Sequence, residues 1–327
     1  MHLAFYGAGA IAERHLDAIR RTGTLDVTWL VSRRAERAEA LATKKGIRRW
    51  TSDEQRPFDD PEVGAVVIAY PTFRHADLAL RAFAAGKHVV CEKPLASSAD
   101  EAQRITDAAT QAGKLLLVTQ IRRFWPAFRE AKEFIQSGLA GRLVRATVDF
   151  QTEWNWADRG WRLEEPGGYL LDMHVHDLDL LLWYAGSRPH HVWATGENRA
   201  EREGTVVLEF DSSYARLDWS GRISGRQYPM GARTCYQVAC ERGRLDIEVA
   251  GDVVVDTVAD GIATGQQQTP VGEQIRASWD SMWAAQAAAL LGLGPVPVQP
   301  EEGVANVGVA LEAVAALRAT RGRVVDA

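Results

Sequence analysis

The chain has 327 residues, which suits two domains better than one. Its composition, 46% hydrophobic and 25% charged, is that of a globular protein, and a net charge of −5 gives no reason to expect nucleic acid or an anionic membrane as a partner. No apolar run approaches the roughly 20 residues that cross a bilayer. A strand pattern starts at His2, so we expect no signal peptide, and three cysteines without metal-ligand spacing suggest reduced thiols. We therefore expect a cytoplasmic protein.

A glycine-rich turn follows the first apolar strand. His2–Tyr6 runs into Gly7-Ala8-Gly9-Ala10-Ile11-Ala12, and a helix continues to about residue 21. This G-x-G-x-x-A pattern between a strand and a helix is the dinucleotide-binding fingerprint. Gly7 permits the tight turn, Gly9 lets the backbone approach a pyrophosphate, and the helix N-terminus offers N–H groups to the phosphates. The predicted cofactor contacts of this turn are Gly7, Gly9, Ala10 and Ile11.

The end of the second strand, residues 27–31, bears on which dinucleotide binds. An acidic residue that bonds the ribose hydroxyl is typical of NAD sites, but Asp26 lies before this strand, at the wrong end. Ser32, Arg33 and Arg34 stand there instead, and arginine suits a 2′-phosphate. NADP(H) is therefore favoured over NAD(H). The alternative is that Ser32 only caps the next helix and the arginines are solvated.

Further strands and helices alternate up to about residue 120. Apolar strands are predicted at 63–69, 89–90 and 115–119, with helices at about 74–85 and 98–111. Repeated strand–helix units predict a doubly wound parallel sheet, which binds ligands at the carboxyl ends of its strands. The additional cofactor contacts predicted at those ends are Tyr70, Pro71, Thr72, His75, Glu92 and Lys93.

Lys93 stands directly before Pro94, which constrains its backbone. A fixed ammonium at the mouth of a sheet could polarise the carbonyl or hydroxyl group of a substrate. The alternative is a surface lysine that pairs with Glu92.

The second half begins with a crossover at 121–128 and a helix that starts at Pro126 and runs to about residue 136. A strand at 143–151 leads into a polar loop that holds Trp154, Trp156, Trp161 and Arg162. Tryptophan faces suit the C–H faces of sugar rings, and the indole N–H can donate a hydrogen bond. The loop is predicted to bind substrate; a hydrophobic plug or an oligomer contact is the alternative.

Alternating strands follow, joined by short turns that are typical of antiparallel hairpins. They are predicted at 190–195, 205–210, 214–220, 234–240, 244–249 and 252–258. Residues 261–272 are predicted to form a loop, and helices are predicted at 273–291 and 303–320. The second half is thus expected to be an α/β domain with a mostly antiparallel open sheet.

The segment from residue 167 to 183 combines helical apolar spacing with ionisable side chains. At about 100° per residue, Asp172, His176 and Asp179 share one helix face, and His174 lies opposite Asp172. A carboxylate beside an imidazole on a buried helix suits proton transfer. The alternative is a polar helix end satisfied by capping and surface pairing.

These motifs together resemble the Gfo/Idh/MocA oxidoreductases over nearly the whole chain. The resemblance is carried by the glycine-rich turn, by Pro71-Thr72 with His75, by residues 85–94 ending in Glu92-Lys93-Pro94, and by Gly167-Gly168 followed by Asp172, His176 and Asp179.

The resemblance implies a Rossmann domain, residues 1–121, and a substrate-binding and oligomerisation domain, residues 122–327. It implies NAD(P)-dependent hydride transfer to or from a carbohydrate or cyclitol. Lys93, Asp172 and His176 match the catalytic positions of the family, and substrate contacts are implied for these three and for Arg123. The Lys93–Pro94 bond is expected to be cis. A homodimer or homotetramer through the second sheet is implied. His174 stands where many members carry glycine, a departure that bears on the shape of the pocket.

Two other classes of protein compete with this interpretation. A non-catalytic nucleotide-sensing regulator or partner-binding protein of the same fold would be expected to lose Lys93, Asp172 and His176, which are all present. A metal site at Asp172, His176 and Asp179 is conceivable on one helix face. No cysteine or further histidine with ligand spacing supports it, and hydride transfer needs no metal, so no metal is predicted.

Overall fold

The computed structural model describes residues 1–152, 168–196, 203–220, 232–260 and 262–320. The chain forms two compact units. One is Met1–Ile121 with Trp279–Val307, and the other is Arg122–Ser278 with Gly308–Ala327. The segment Trp279–Val307 thus differs from its predicted place in the second domain. Its tryptophans explain the difference, because the rings of Trp279 and Trp283 pack edge-on against His15, near the N-terminus of the chain.

The first unit is built around a parallel sheet. In chain order its elements are β1 (His2–Tyr6), α1 (Ala12–Thr22), β2 (Asp26–Val31), α2 (Ala35–Lys45), β3 (Arg49–Thr51), α3 (Arg56–Asp59), β4 (Val63–Ile68), α4 (His75–Ala84), β5 (His88–Glu92), α5 (Ala99–Ala112) and β6 (Leu116–Thr119). The strand order is β3-β2-β1-β4-β5-β6, and every neighbouring pair is parallel. The predicted doubly wound Rossmann sheet is confirmed.

The central strands of this sheet are buried on both faces, which accounts for their continuous apolar runs. Leu3, Phe5, Val66 and Val67 are completely buried. The reversal of strand order between β1 and β4 places their carboxyl ends beside each other, where such folds bind ligands.

The second unit carries a larger sheet. Its elements begin with α6 (Pro126–Gln136), β7 (Leu143–Thr152), a π-helical turn (Leu170–His174), α7 (Val175–Ala185), β8 (His191–Thr195), β9 (Glu203–Glu209) and β10 (Tyr214–Ser220). They continue with β11 (Ala232–Cys240), β12 (Gly243–Val249), β13 (Asp252–Ala259) and β14 (Ile262–Pro270). Two long helices, α8 (Val271–Leu290) and α9 (Pro300–Thr320), contribute residues to both units.

The strand order of this sheet is β14-β13-β12-β11-β7-β10-β9-β8. Its pairs are antiparallel except that β10 runs parallel to β7, so the predicted mostly antiparallel sheet is confirmed. Helices α6 and α7 pack on one face. Alternate residues of β9 and β10, such as Val206, Leu208 and Leu217, are buried, as expected for a sheet with one covered face.

Two sequence predictions are corrected here. Residues 262–270, predicted as a loop, form strand β14, which pairs antiparallel with β13. The segment lacks apolar alternation because it is an edge strand, and its described central side chains are exposed. The helix around Asp172 is not regular either, because Leu170–His174 forms a π turn before α7 begins.

Among the described residues, no helix has both the length and the apolar character to cross a membrane.

Candidate active site

The glycine-rich turn lies where β1 ends and α1 begins. Gly7 has φ +141°, and a Cβ on it would lie 2.6 Å from the carbonyl oxygen of Ala69. The backbone beyond β4 therefore approaches this turn too closely for any side chain. A Cβ on Gly9 would meet nothing within 4 Å, and Gly9 and Ala10 are exposed while Ile11 is half-buried. The turn is thus packed on one side and open on the other, which suits a dinucleotide pyrophosphate.

The carboxyl end of β2 carries the residues predicted to choose the cofactor. Ser32 is buried, and its Oγ accepts a 3.3 Å hydrogen bond from the N–H of Arg34. Arg34, not Ser32, is the N-cap residue of α2 and the helix start has no side-chain cap, so this bond closes the turn between β2 and α2. Arg33 and Arg34 are exposed. Asp26 begins β2 at the opposite end, as the sequence indicated.

Tyr70 is half-buried beyond β4 and close to the arginines that follow β2. Burial raises the pKa of Tyr70 to about 12, and the charge of Glu54 acts in the same direction, while the charges of Arg33 and Arg74 oppose it. The Arg74 guanidinium also lies over the Tyr70 ring, at 5.9 Å from its centroid. The predicted residues at the ends of β2 and β4 therefore share one electrostatic environment.

Pro71, Thr72 and His75 form the turn that leads into α4. Thr72 is buried at the start of a short 3₁₀ turn. The His75 ring is 1% exposed, with Nδ1 2.9 Å from the carbonyl oxygen of Pro94 and Nε2 2.8 Å from that of Tyr70. Burial lowers the pKa of His75, although both carbonyl contacts and Glu92 act in the opposite direction. Both ring nitrogens thus contact backbone carbonyls, so this histidine joins the ends of β4 and β5. Its direct contact with a cofactor stays a prediction.

Lys93 follows directly after β5, at the same edge of the sheet. The Lys93–Pro94 bond is cis, which confirms the expectation from the sequence. Lys93 is half-buried, and its backbone N–H donates a 3.1 Å hydrogen bond to Glu92 Oε2. The lysine is therefore a partly enclosed residue on a fixed turn.

Glu92 has a partner that the sequence reasoning did not identify. Its Oε1 lies 2.8 Å from Nε2 of His15, and Nδ1 of His15 lies 3.2 Å from the indole nitrogen of Trp283. Burial acts to raise the pKa of Glu92, but the hydrogen bond from His15 and the charge of Lys93 outweigh it, and the pKa is lowered. The available signal was a histidine three residues after Ala12, on the buried face of an amphipathic helix.

In the second unit, two of the predicted catalytic residues lie on the segment that joins the π turn to α7. Asp172 and His176 are half-buried. The other acidic and histidine side chains of this described segment, His174, Asp177 and Asp179, are at most 1% exposed. Asp172 and His176 are thus the members of this group that an incoming molecule can reach.

His174 and Asp177 belong to a buried network that the sequence reasoning missed. Nδ1 of His174 lies 2.9 Å from Asp177 Oδ2, and the Tyr236 hydroxyl donates a 2.9 Å hydrogen bond to Asp177 Oδ1, which also contacts Arg122. Burial acts to raise the pKa of Asp177, but the charge of Arg122 and the hydrogen bonds from His174 and Tyr236 lower it. His174 therefore faces the interior, among the rings of Phe150, Tyr169 and Trp219.

Asp179, predicted to lie on the same helix face as Asp172 and His176, is buried, whereas those two residues are half-buried. It forms a two-pronged ion pair with Arg123, with Nε and Nη2 donating at 2.7 and 2.8 Å. The π turn alters the spacing between Asp172 and α7, but His176 and Asp179 both lie within the regular helix, and the buried Arg123 guanidinium holds Asp179 inside. Arg123 is only 6% exposed, and its predicted contact with substrate stays a prediction.

Four of the predicted substrate contacts, Trp154, Trp156, Trp161 and Arg162, lie outside the described residues. Within the described ranges, no group of three or more His, Cys, Asp or Glu residues is arranged to hold a metal ion.

Comparison with known families and proteins places this geometry in context. A family described as an oxidoreductase family with an NAD-binding Rossmann fold matches residues 1–120, and the GFO/IDH/MocA C-terminal domain matches residues 128–246. These two matches follow one another along the chain and fall on the two units of the structure.

Among the relatives, a 1,5-anhydro-D-fructose reductase of Ensifer adhaerens is 37% identical over 187 residues, or 56% of this chain and 56% of that protein. The chain thus spans little more than half of that relative. An inositol 2-dehydrogenase of Rubrobacter xylanophilus is 28% identical over 97% of this chain and 86% of its own.

The fold is shared with solved structures across nearly the whole chain. An oxidoreductase from Agrobacterium radiobacter, in complex with NAD⁺, L-tartaric acid and magnesium, has a TM-score of 0.85 at 17% identity and covers 97% of this chain and 96% of its own. The two family matches follow one another along the chain, strand β1 of the parallel sheet leads into the glycine-rich turn, and a second, open sheet follows. The chain therefore belongs to the Gfo/Idh/MocA oxidoreductase family.

Proposed function

We propose that this protein is an NAD(P)-dependent oxidoreductase that transfers hydride between the cofactor and a carbinol or carbonyl carbon of a sugar, cyclitol or related derivative. The observation that carries the proposal is the Lys93 turn, held half-buried at the carboxyl edge of the sheet that also carries the glycine-rich turn. The relatives named for anhydrofructose reduction and inositol oxidation support the substrate class.

The residues of the first unit fit a dinucleotide. Gly7 leaves no space for a side chain, and Gly9 leaves open space above the turn, as a bound pyrophosphate needs. A nicotinamide cofactor supplies or accepts the hydride when it is bound there. We propose that NADP(H) is preferred over NAD(H), because exposed Arg33 and Arg34 follow β2 where an NAD site usually has an acid.

Three side chains act on the substrate in this proposal. Lys93 binds the reacting oxygen and stabilises the negative charge that develops on it during reduction. His176 gives that oxygen its proton as the carbon is reduced and takes the proton back in oxidation, and Asp172 orients the imidazole. A positioned acid–base group of this kind is typically worth about 10²–10⁴ in rate.

The first experiment is a fluorescence titration of the protein with NADPH and then with NADH. We expect NADPH to bind more tightly than NADH. Arg33→Ala should reduce the ratio of the NADH to the NADPH dissociation constant about tenfold, since one arginine–phosphate contact is lost. Arg37→Ala is the matched control, because Arg37 is also exposed but lies inside α2. Tighter NADH binding would reject the NADP proposal and leave the hydride chemistry intact, whereas binding of neither cofactor would reject both.

The second experiment measures turnover with 1,5-anhydro-D-fructose in the reducing direction and with myo-inositol in the oxidising direction, each with both cofactors. The proposal would be supported if the wild type turned over either compound and Lys93→Met abolished that turnover. Cofactor binding without turnover of any compound in a wider panel of sugars, cyclitols and keto-sugars would favour a nucleotide-sensing regulator instead.

Two further parts of the proposal concern binding surfaces. The substrate contacts include Arg123, Trp154, Trp156, Trp161 and Arg162. The open face of the second sheet forms a homodimer or homotetramer interface, and Trp193 and Tyr214 are 60% and 41% exposed at one end of that sheet. Light scattering tests this directly, since replacing Trp193 by Ser should shift the assembly toward the monomer.

A further inference from the structure

A buried chain of hydrogen bonds ends at the turn that carries Lys93. It starts at Trp283 on α8, passes through His15 on α1, and reaches Glu92 at the end of β5. His15 and Trp283 are completely buried, and the side chain of Glu92 is 13% exposed. The rings of Phe5, Trp279 and Trp283 lie within 5.7 Å of the His15 ring, centroid to centroid.

The direction of these hydrogen bonds follows from the donors available. An indole N–H can only donate, so Nδ1 of His15, 3.2 Å away, must accept. The ring hydrogen of His15 is therefore on Nε2, which donates to Glu92 Oε1 at 2.8 Å. Trp283 thus selects the form of the imidazole that can hold the carboxylate.

The second oxygen of the same carboxylate reaches the lysine. Glu92 Oε2 accepts the backbone N–H of Lys93 at 3.1 Å. One oxygen is thus bound by His15 and the other by the peptide group from which the Lys93 side chain starts. A rotation of the carboxylate would break one bond or the other, so the two bonds lock each other.

We propose that His15 and Trp283 are positioning residues for Lys93, acting through the Glu92 carboxylate. They hold this carboxylate ionised and in one orientation, and the carboxylate holds the Lys93 backbone by accepting its N–H. The inference rests on the proposed function only for what Lys93 does to a substrate; the positioning itself is a property of the first unit.

The charges around Glu92 are consistent with this role. The groups that influence its ionisation are His15 on α1, Lys93 beside it, His75 on α4, Cys91 on β5 and the Thr119 hydroxyl on β6. His15 and Lys93 both lower the pKa of this carboxyl against the effect of burial. Removing the His15 donor should therefore raise the pKa of Glu92, because burial is then opposed less strongly.

The test compares two substitutions of one residue. His15→Gln keeps an N–H donor near the position of Nε2, and His15→Leu removes it at similar volume. Lysines are labelled by reductive ¹³C-methylation, and the Lys93 signal is assigned by its absence in Lys93→Arg. When the pH is lowered, the chemical shift of this signal should show an inflection at the pKa of Glu92. Glu92→Gln should abolish that inflection, which identifies Glu92 as the titrating group.

We expect His15→Leu to move the inflection to higher pH and to shift the Lys93 signal at neutral pH, while His15→Gln leaves both close to wild type. Trp283→Phe keeps an aromatic ring but removes the indole N–H, so it should move the inflection in the same direction by less. It serves as the second variant if His15→Leu fails to fold. An unchanged inflection in His15→Leu and Trp283→Phe, or equal changes in the Gln and Leu variants, would overturn the proposal in favour of simple packing.

A kinetic measurement separates this inference from the proposed function. With 1,5-anhydro-D-fructose and NADPH, His15→Leu should reduce kcat about tenfold or more, as small displacements of a catalytic group do. NADPH affinity should stay within about twofold and His15→Gln should restore most of the rate, because only the Lys93 turn is disturbed. A normal kcat in His15→Leu would overturn the positioning role. If the wild type turned over no substrate, the proposed function would fail while the Lys93 titration still decided this inference.

Discussion

The turn at Lys93 and the helix that carries His176 are supported by different kinds of buried polar contact. In the first unit, histidines hold the turn, with His15 bound to Glu92 and His75 in contact with the Pro94 carbonyl. In the second unit, arginines hold the helix through Asp177 and Asp179. The first support keeps a negative charge next to a lysine, whereas the second cancels negative charges close to a histidine.

This difference suits the two proposed roles. A lysine that must stay charged benefits from a nearby carboxylate that stays ionised. His176, which exchanges a proton in the proposed reaction, benefits when the neighbouring Asp177 and Asp179 are neutralised by arginines. Asp172 is then the carboxylate that orients the imidazole and stabilises its charged form. Three of the predictions below concern the helix that carries His176, and one concerns the packing of the glycine-rich turn in the first unit.

The largest effect on stability is expected at Arg123. Replacing it by Met leaves Asp179, which is 1% exposed, as a buried charge without its arginine, and should lower the free energy of unfolding by about 3–5 kcal/mol. Urea denaturation measures the loss. The double variant Arg123→Met with Asp179→Leu should recover most of it, and a double variant no more stable than the single one would show that the pair does not act as a unit.

Substitutions of His176 and His174 are expected to affect different properties, turnover for His176 and stability for His174. His176→Gln is expected to reduce kcat by about 10²–10⁴ with little change in cofactor affinity, because it removes the proposed proton donor. His174→Gln disturbs the buried bond to Asp177 and should instead lower the free energy of unfolding by about 1–3 kcal/mol. Turnover of the His176 variant within a few-fold of wild type would contradict the catalytic assignment.

The two glycines of the glycine-rich turn should respond differently to alanine. Gly7→Ala forces a Cβ against the Ala69 carbonyl at φ +141° and should lower the free energy of unfolding by about 1–3 kcal/mol. Gly9→Ala meets open space, so thermal unfolding should be nearly unchanged, while the added methyl group weakens cofactor binding in the fluorescence titration. Equal losses of stability in the two variants would contradict the packing argument.

The smallest effect is expected from the acid dependence of stability. The pKa of Asp177 is lowered in the folded protein, so its contribution to stability is complete above the ordinary aspartate pKa, about 3.9, and is lost as pH falls through the folded value. Tyr236→Phe removes one donor to this carboxylate and should reduce the free energy of unfolding at pH 7 by about 0.5–1.5 kcal/mol.

Tyr236→Phe should also make the free energy of unfolding fall less as the pH is lowered, because the pKa of Asp177 in the folded protein is then closer to its ordinary value. Urea unfolding at pH 7 and at steps down to pH 3 measures both effects. A profile parallel to that of wild type would show that the tyrosine hydroxyl does not influence Asp177.

The sequence predicted well those features that depend on neighbouring residues. Apolar runs located the buried strands of the first unit, and alternation located β7 to β13, since both patterns follow from which faces are covered. The glycine-rich turn and the cis Lys93–Pro94 bond were recognised from short motifs. Strand β14 was missed because its pairing comes from β13, and its own polar sequence carries no period.

The features that the sequence did not reveal depend on distant partners or on irregular geometry. His15 is 77 residues from Glu92 and 268 residues from Trp283, so no local pattern joins them. The helical wheel assumed a constant 100° per residue, and the π turn breaks that assumption just where Asp172 lies. The burial of Asp179 depends on Arg123, which lies 56 residues earlier in the chain and which a helical wheel does not include.

The segment Trp279–Val307 belongs to the first unit although it follows nearly all of the second unit in the sequence. During synthesis, the strands of the parallel sheet leave the ribosome long before Trp283 can reach His15. An N-terminal fragment that ends at Ile121 lacks both tryptophans that cover this histidine. The first unit can therefore complete its interior only after residues 122–278 of the second unit have been made, and the Trp283–His15 bond behind the Lys93 turn forms only after that.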